Sequence, residues 1–136
     1  MSKLIIAIPR GRIIKELKPI LKKTSFAPEN EMFDDKSRKL TFLSKNKDIN
    51  FIKVRAFDAC TFVAFGAAQI GIAGEDVIKE FNYSEIYAPL ELNIGHCRLS
   101  VAALKTLLKK EDPETWSNIR VAVSYTHLTL PTILLV

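Results

Sequence analysis

Four residues near the amino terminus, Pro9-Arg10-Gly11-Arg12, have types and spacing that could hold an anion. Glycine lets a ligand approach the backbone, and the two arginines offer forked N–H donors that match phosphate. A helix starting here would add free amides that attract negative charge. The same residues also fit a basic surface turn, and a single glycine is not the phosphate-binding P-loop pattern, so both readings stand. Arg55 and Arg38 form a second candidate pair. Arg55 alternates onto one strand face with Phe51 and Lys53, which reads as a solvated surface, and Arg38 on a partner strand reads the same way. A third candidate is "GAAQIGIAGEDV", residues 66–77, where three glycines lead from a strand into a helix start. Amides near Gly74 suit a phosphate or a nucleotide edge, and Asp76 suits a ribose or base donor. Tight strand–helix packing, with Asp76 as a favourable first-turn charge, explains the same stretch equally well. His96 and Cys97 are adjacent, so on an extended chain they point to opposite faces and do not make a nucleophile pair. His127 is assigned no role.

The elements that must position these residues follow from hydrophobic periodicity. Residues 3–8 (KLIIAI) read as a buried strand that Pro9 ends. A helix begins at Gly11, with Ile13, Leu17, Ile20 and Leu21 on one face and Lys15, Lys18 and Lys22 on the other. Pro19 predicts a kink in it. Residues 25–36 read as loop. Residues 38–43 and 50–56 flank the polar "SKNKD" and predict a β-hairpin that carries both Arg38 and Arg55. Asp58 is expected to cap a short helix running to about residue 67. Residues 68–74 read as a short strand and 75–81 as a second short helix. Strands are expected at 90–94, 98–103 and 119–123, with a charged helical excursion at 105–118. Strands alternating with short helices define an α/β class, and the early hairpin predicts a mixed sheet.

Composition narrows the function classes. Hydrophobic residues make up 48% and charged residues 26%, which excludes a disordered chain. The net charge of +5 suits phosphate-bearing partners. A nucleic-acid-binding domain is disfavoured, because no aromatic platforms interleave with the lysines. Cys60 and Cys97 lie far apart with no second cysteine or histidine cluster, which excludes a disulfide framework or a zinc site and suggests a reducing compartment. No run is long enough to span a membrane, and the short apolar start lacks a signal-peptide pattern. A cytoplasmic location is expected. Residues 121–136 contain no Asp, Glu, Lys or Arg, which sets them apart from the rest of the chain.

Five stretches, "LIIAIPRGRI", "SRKLTF", "FIKVRAFD", "TFVAFGAAQIGIAGEDV" and "PLELNIGHCRLSVAA", occur in this order and resemble the ATP phosphoribosyltransferase family over residues 4–122. The charged "KEDPETWSNIRVA" is similar to one bacterial branch of the short form. Ala59-Cys60 stands where the family usually has Val-Pro, Gln69 where it has Asp, and His96 where Lys or Arg is commoner. Nothing in the chain resembles the family's acidic, Gly/Thr-rich loop that grips phosphoribosyl pyrophosphate. The segment "SYTHLTLPT" reads as foreign to the gene, although Tyr125, Leu128 and Thr129 also fit a start of the family's next helix.

The resemblance implies a fold like that of type II periplasmic binding proteins, two α/β lobes around a cleft. Residues 1–95 are then expected to be most of lobe one, 96–123 the start of lobe two, and 124–136 a tail outside the family. The implied reaction joins ATP and 5-phosphoribosyl 1-pyrophosphate, with magnesium carried on the pyrophosphate, as the first step of histidine biosynthesis. Carried onto this chain, Arg12 and Gly11 hold phosphate. Arg38 and Arg55 neutralise triphosphate or leaving pyrophosphate, one of them potentially across a subunit interface. Gly74 and Asp76 line the nucleotide side. The implied partners are further copies of the chain and a separate synthetase-like regulatory subunit. A truncated chain of this family is expected to be inactive by itself. The competing reading is a non-catalytic lobe of the same fold that binds an anion or solute.

Overall fold

A computed structural model describes residues 3–100, 102–106 and 121–128. The chain divides into two compact units, Met1–Gly95 and His96–Val136.

The first unit is built on strand β1 (Leu4–Pro9), whose residues from Ile6 to Pro9 are all buried. A run apolar on both faces is what the centre of a parallel sheet requires. β1 is followed by helix α1 (Arg12–Lys22), strand β2 (Thr41–Leu43), strand β3 (Ile49–Val54), helix α2 (Ala56–Ala64), strand β4 (Ile70–Gly71) and helix α3 (Glu75–Phe81). The sheet order is β2-β3-β1-β4. β3 and β4 flank β1 in parallel, and β2 pairs antiparallel with β3 on the outer edge. The mixed α/β sheet and the hairpin expected from the sequence are both present.

Alternation along β1 divides the core in two. Ile6 and Ile8 pack with Ile14, Leu17 and Leu21 of α1 and with Met32, Phe42 and Phe51. Ala7 packs with Val54, Ala59 and Ala68, so α2 covers the second cluster. Small residues let α2 lie close to the sheet. A β-carbon on Gly71 would come within 2.9 Å of Val63 Cγ2 and 3.2 Å of the Ala59 carbonyl oxygen.

Several elements differ from the sequence expectation for local reasons. The buried stripe of α1 is Ile14, Leu17 and Leu21, while Ile20 is 37% exposed at the margin of that face. The helix runs through Pro19 as one element. Within the expected 25–36 loop, Asn30–Phe33 forms a 3₁₀ turn that buries Met32, closed by the Met32 N–H bonding to the Glu29 carbonyl. The hairpin strands are shorter than expected. The Lys53 N–H to Leu40 carbonyl bond, 2.7 Å, is the last rung toward Arg38. Before it, the Asp34 and Ser37 side chains accept from the Lys36 and Lys39 N–H groups and turn the chain away. Arg38 and Arg55 therefore stand just off the ladder. Asp58 is not the cap of α2. The helix begins at Ala56, with extended Arg55 at the cap position, and Asp58 lies in its first turn. α2 ends at Ala64, and Gly66 at φ 74° turns the chain back toward β4.

Residues 90–94, 98–100, 102–103 and 121–123, expected as strands, carry no ladder pairing among the described residues. An extended segment becomes a strand only when a neighbour supplies its hydrogen bonds, and the two-residue edge β4 pairs with β1 alone. In the second unit the described residues are mostly exposed, with helical turns at 105–106 and 126–128. Most of the expected 105–118 helix lies outside the described residues. No helix among the described residues is long and apolar enough to cross a membrane.

Candidate functional site

Three parallel strands end on one edge of the sheet, and a helix starts after each. Ligands of open α/β sheets bind beyond the carboxyl ends of such strands. Because β2 is antiparallel, its amino end lies at that same edge, so Arg38 joins the set. Across the edge the order is Arg38 before β2, Arg55 after β3, Arg10 to Arg12 after β1, and Gly74 and Asp76 after β4. The turn after β1 is tied to the end of β3 by a 2.9 Å bond from the Arg10 N–H to the Val54 carbonyl.

Gly11 caps α1 with φ 94° and ψ −140°, a conformation that a side chain rarely adopts. Open space surrounds it, so the backbone conformation alone demands glycine. No side chain caps α1 and no acidic residue stands in its first turn. The positive dipole end of α1 therefore carries no compensating acidic side chain of its own helix, an arrangement that favours an anion.

Arg12 follows, but its guanidinium is turned along its own helix. Nε lies 3.4 Å from Glu16 Oε1, and Nη2 donates to the Gly95 carbonyl at 3.1 Å. The Gly95 N–H donates in turn to Glu16 Oε2 at 2.7 Å. One residue, Gly95 at φ 70°, is held through both its N–H and its carbonyl by two side chains of α1.

Arg55 and Arg38 are exposed and make no ion pair among the described residues. At α3, Gly74 is the cap residue and Glu75 and Asp76 fill the first turn. A β-carbon on Gly74 would overlap the Asp76 carboxylate, so the bare backbone is what lets Asp76 fold back over the helix start. Glu75 pairs with Lys79 at 2.7 Å on the surface, where such a pair contributes little.

Arg10, Gly11, Ile14, Asp35, Ser37 and Lys53 line a small cleft of about 120 Å³ at this edge. A larger hollow of about 480 Å³ lies at the other end of the sheet, between the end of α1 and the far end of the hairpin, and holds none of the expected site residues. Lys53 changes the sequence picture most. Its face of β3 is not solvated: Phe51 is fully buried and Lys53 is only 7% exposed, under α1 and the 34–37 segment. The usable signal was a lysine in an alternating strand two residues after a core phenylalanine, on the same face.

The cysteines and histidines add no chemistry here. Cys60 is buried in α2, and burial pushes its thiol above the ordinary value, as for an inert core residue. His96 and Cys97 are exposed. Among the described residues no group of three His, Cys, Asp or Glu could hold a metal ion.

A glycine-capped helix start, arginines on neighbouring loops and an acid at a second helix start define an α/β lobe suited to a phosphorylated ligand. The sequence model of the ATP phosphoribosyltransferase family matches residues 55–131. This chain belongs to the ATP phosphoribosyltransferase family, a family of glycosyltransferase-type enzymes. The matched stretch contains Arg55, Gly74 and Asp76 and continues over Tyr125 to Thr129.

Two curated relatives carry the same description. The Rhodospirillum rubrum protein is 52% identical over 128 residues, 94% of this chain and 56% of the relative. The Rhizorhabdus wittichii protein is 50% identical over 128 residues, 94% of this chain and 58% of the relative. The chain thus spans a little over half the length of the curated relatives it matches. A chain of the ATP phosphoribosyl transferase (HisG:HisZ) complex from Thermotoga maritima aligns over 61% of this chain and 37% of its own length, at 35% identity and a TM-score of 0.47.

Proposed function

We propose that this lobe serves the transfer of a phosphoribosyl group from 5-phosphoribosyl 1-pyrophosphate to N1 of the adenine of ATP, the first step of histidine biosynthesis. A bond forms between the ribose anomeric carbon and N1, and the bond from that carbon to the pyrophosphate oxygen breaks. The bonding pair leaves with pyrophosphate. Positive charge grows on the ribose and negative charge on the leaving group, so the site needs oriented cations and amides more than a nucleophile. The observation that carries this reading is the gathering of Arg38, Arg55, Gly11–Arg12 and Gly74–Asp76 at one sheet edge of a chain of this family.

In this reading Gly11 and the first amides of α1 receive phosphate oxygens, and Arg12 turns from Gly95 to join them. Arg38 and Arg55, exposed and extended from neighbouring strands, neutralise the triphosphate or the departing pyrophosphate. Gly74 admits the nucleotide close to the backbone, and Asp76 accepts from its ribose or base. Magnesium enters with the substrate, carried on the pyrophosphate. The reaction belongs in the cytoplasm. The working assembly contains further copies of this chain and a separate synthetase-like regulatory subunit.

The 136-residue chain is expected to bind ATP without turnover, because nothing in it resembles the family's loop for phosphoribosyl pyrophosphate. A chimera that continues this chain with the carboxyl-terminal part of the Rhodospirillum rubrum relative tests the reading. It should release pyrophosphate from ATP and phosphoribosyl pyrophosphate, and Arg55→Ala should lower its kcat by about tenfold or more. A folded chimera that binds ATP but never turns over would favour a non-catalytic anion-binding lobe. A chain that binds no ATP sinks both readings.

A further inference from the structure

We propose that Lys53 is an anion-binding residue and that the cleft it shares with Arg10 and Gly11 holds a phosphate or pyrophosphate group. The proposal rests on the reading of this sheet edge as a phosphate site and identifies which side of Gly11 the anion occupies.

The burial of Lys53 is the starting point. A charge taken out of water must be compensated. Lys53 is 7% exposed, yet its compensation is slight. Its ammonium donates to the Asp34 carbonyl at 3.1 Å and lies 5.2 Å from the centre of the Phe42 ring. An ammonium has three donors, and among the described residues no carboxylate lies within ion-pair distance of this one. The nearby acid, Asp35, is taken by Lys15 at 2.9 Å. Lys15, with a smaller contribution from Lys53, holds the Asp35 carboxyl below its ordinary range.

The cleft has the right size and walls for the missing anion. About 120 Å³ accommodates several waters or one phosphate-sized group and is too small for a nucleoside. Ser37 closes the wall with its hydroxyl already donated to Glu31. Arg10 brings a second cation on a backbone fixed to β3. Gly11 leaves the start of α1 bare beside it, and Ile14 of the same helix forms the floor. Arg12 is on the other side, bound to Gly95 and Glu16. The cations that line this cleft are therefore Lys53 and Arg10.

Calorimetric titration of the 136-residue chain with inorganic pyrophosphate tests this. Lys53→Met, which keeps the length and removes the charge, should weaken binding by about tenfold or more. Lys53→Arg, which keeps the charge, should bind more tightly than Lys53→Met. Lys45→Met, beside the larger hollow, controls for loss of net charge and should bind as wild type. Wild-type affinity in a folded Lys53→Met chain overturns the proposal while leaving the phosphate-site reading intact. No pyrophosphate binding by the wild type also overturns it, and a parallel ATP titration shows whether the nucleotide reading falls with it. If circular dichroism shows Lys53→Met unfolded, Arg10→Gln replaces it. Unchanged affinity in that exposed variant overturns the proposal, and a tenfold loss supports it.

Discussion

At the scale of single residues, backbone conformation and burial decide more than residue type. Gly11 is required by its φ of 94°, since open space surrounds it. Gly11→Ala should destabilise the chain by about 1–3 kcal/mol, the cost of holding a side chain in that conformation, read as a fall in the urea midpoint at unchanged slope. It should also weaken pyrophosphate binding. A stable variant with an unchanged midpoint would show that the turn readily adopts another conformation. The glycine was legible in the sequence because it stands between a strand-ending proline and a helical pattern. The role of Lys53 was not, because alternation shows that two residues share a face and not whether that face is covered. Arg12 and Glu16 are four residues apart and were legible as neighbours, but their common hold on Gly95 spans 79 residues between Glu16 and Gly95.

At the scale of elements, the site depends on how α2 rests on the sheet. Arg55 stands at the start of this helix, and Gly71 sits beneath its middle. Gly71→Ala pushes a methyl against the Ala59 carbonyl, which cannot move without the helix, so the cost should be about 1–3 kcal/mol. The same variant should shift Arg55 and reduce turnover in the chimera. Thermal melts and pyrophosphate-release rates check the two effects, and an unchanged melt would mean that α2 adjusts freely. A similar dependence holds on the hairpin side. Glu29 accepts from the Lys39 ammonium at 2.6 Å and from the Leu43 N–H at 2.9 Å, fastening the 3₁₀ turn to β2. The hairpin itself was legible from two apolar runs around "SKNKD". Its true ends were not, because Asp34 and Ser37 compete with the ladder for backbone bonds.

At the scale of the whole molecule, charge and chain extent set the behaviour. The hydrogen bond from Lys39 is the first cause that lowers the Glu29 carboxyl, followed by the Leu43 N–H. Lys15 lowers Asp35 in the same way, and Lys79 lowers Glu75. Each depressed carboxyl contributes stability that is present above its unfolded value of about 4 and is lost as pH falls through its folded value. Lys39 is raised by Glu29, so its contribution is complete below about pH 10.4 and is lost at higher pH. The chain should therefore lose stability on acidification below about pH 4.5, and Glu29→Gln should flatten part of that slope. Urea midpoints measured from pH 6 to pH 3 check this, and an identical slope in the variant would remove Glu29 as a contributor. The chain spans a little over half the length of these curated relatives.

The sequence by itself determined the family, the α/β class, the mixed sheet with its hairpin, and the presence of the three helices of the first unit. These depend on local patterns: apolar periodicity, a proline stop, a glycine turn and five motifs in order. Only the tertiary structure decided that four loops share one sheet edge, that Lys53 is covered, and that Arg12 is bound to Gly95 and Glu16. Those facts depend on which strands pair and in which direction, and pairing brings together residues far apart in the chain. The segments at 90–94, 98–100 and 102–103 show the same rule from the other side. Their pattern suits a strand, but a strand exists only where a partner is present to complete its hydrogen bonds.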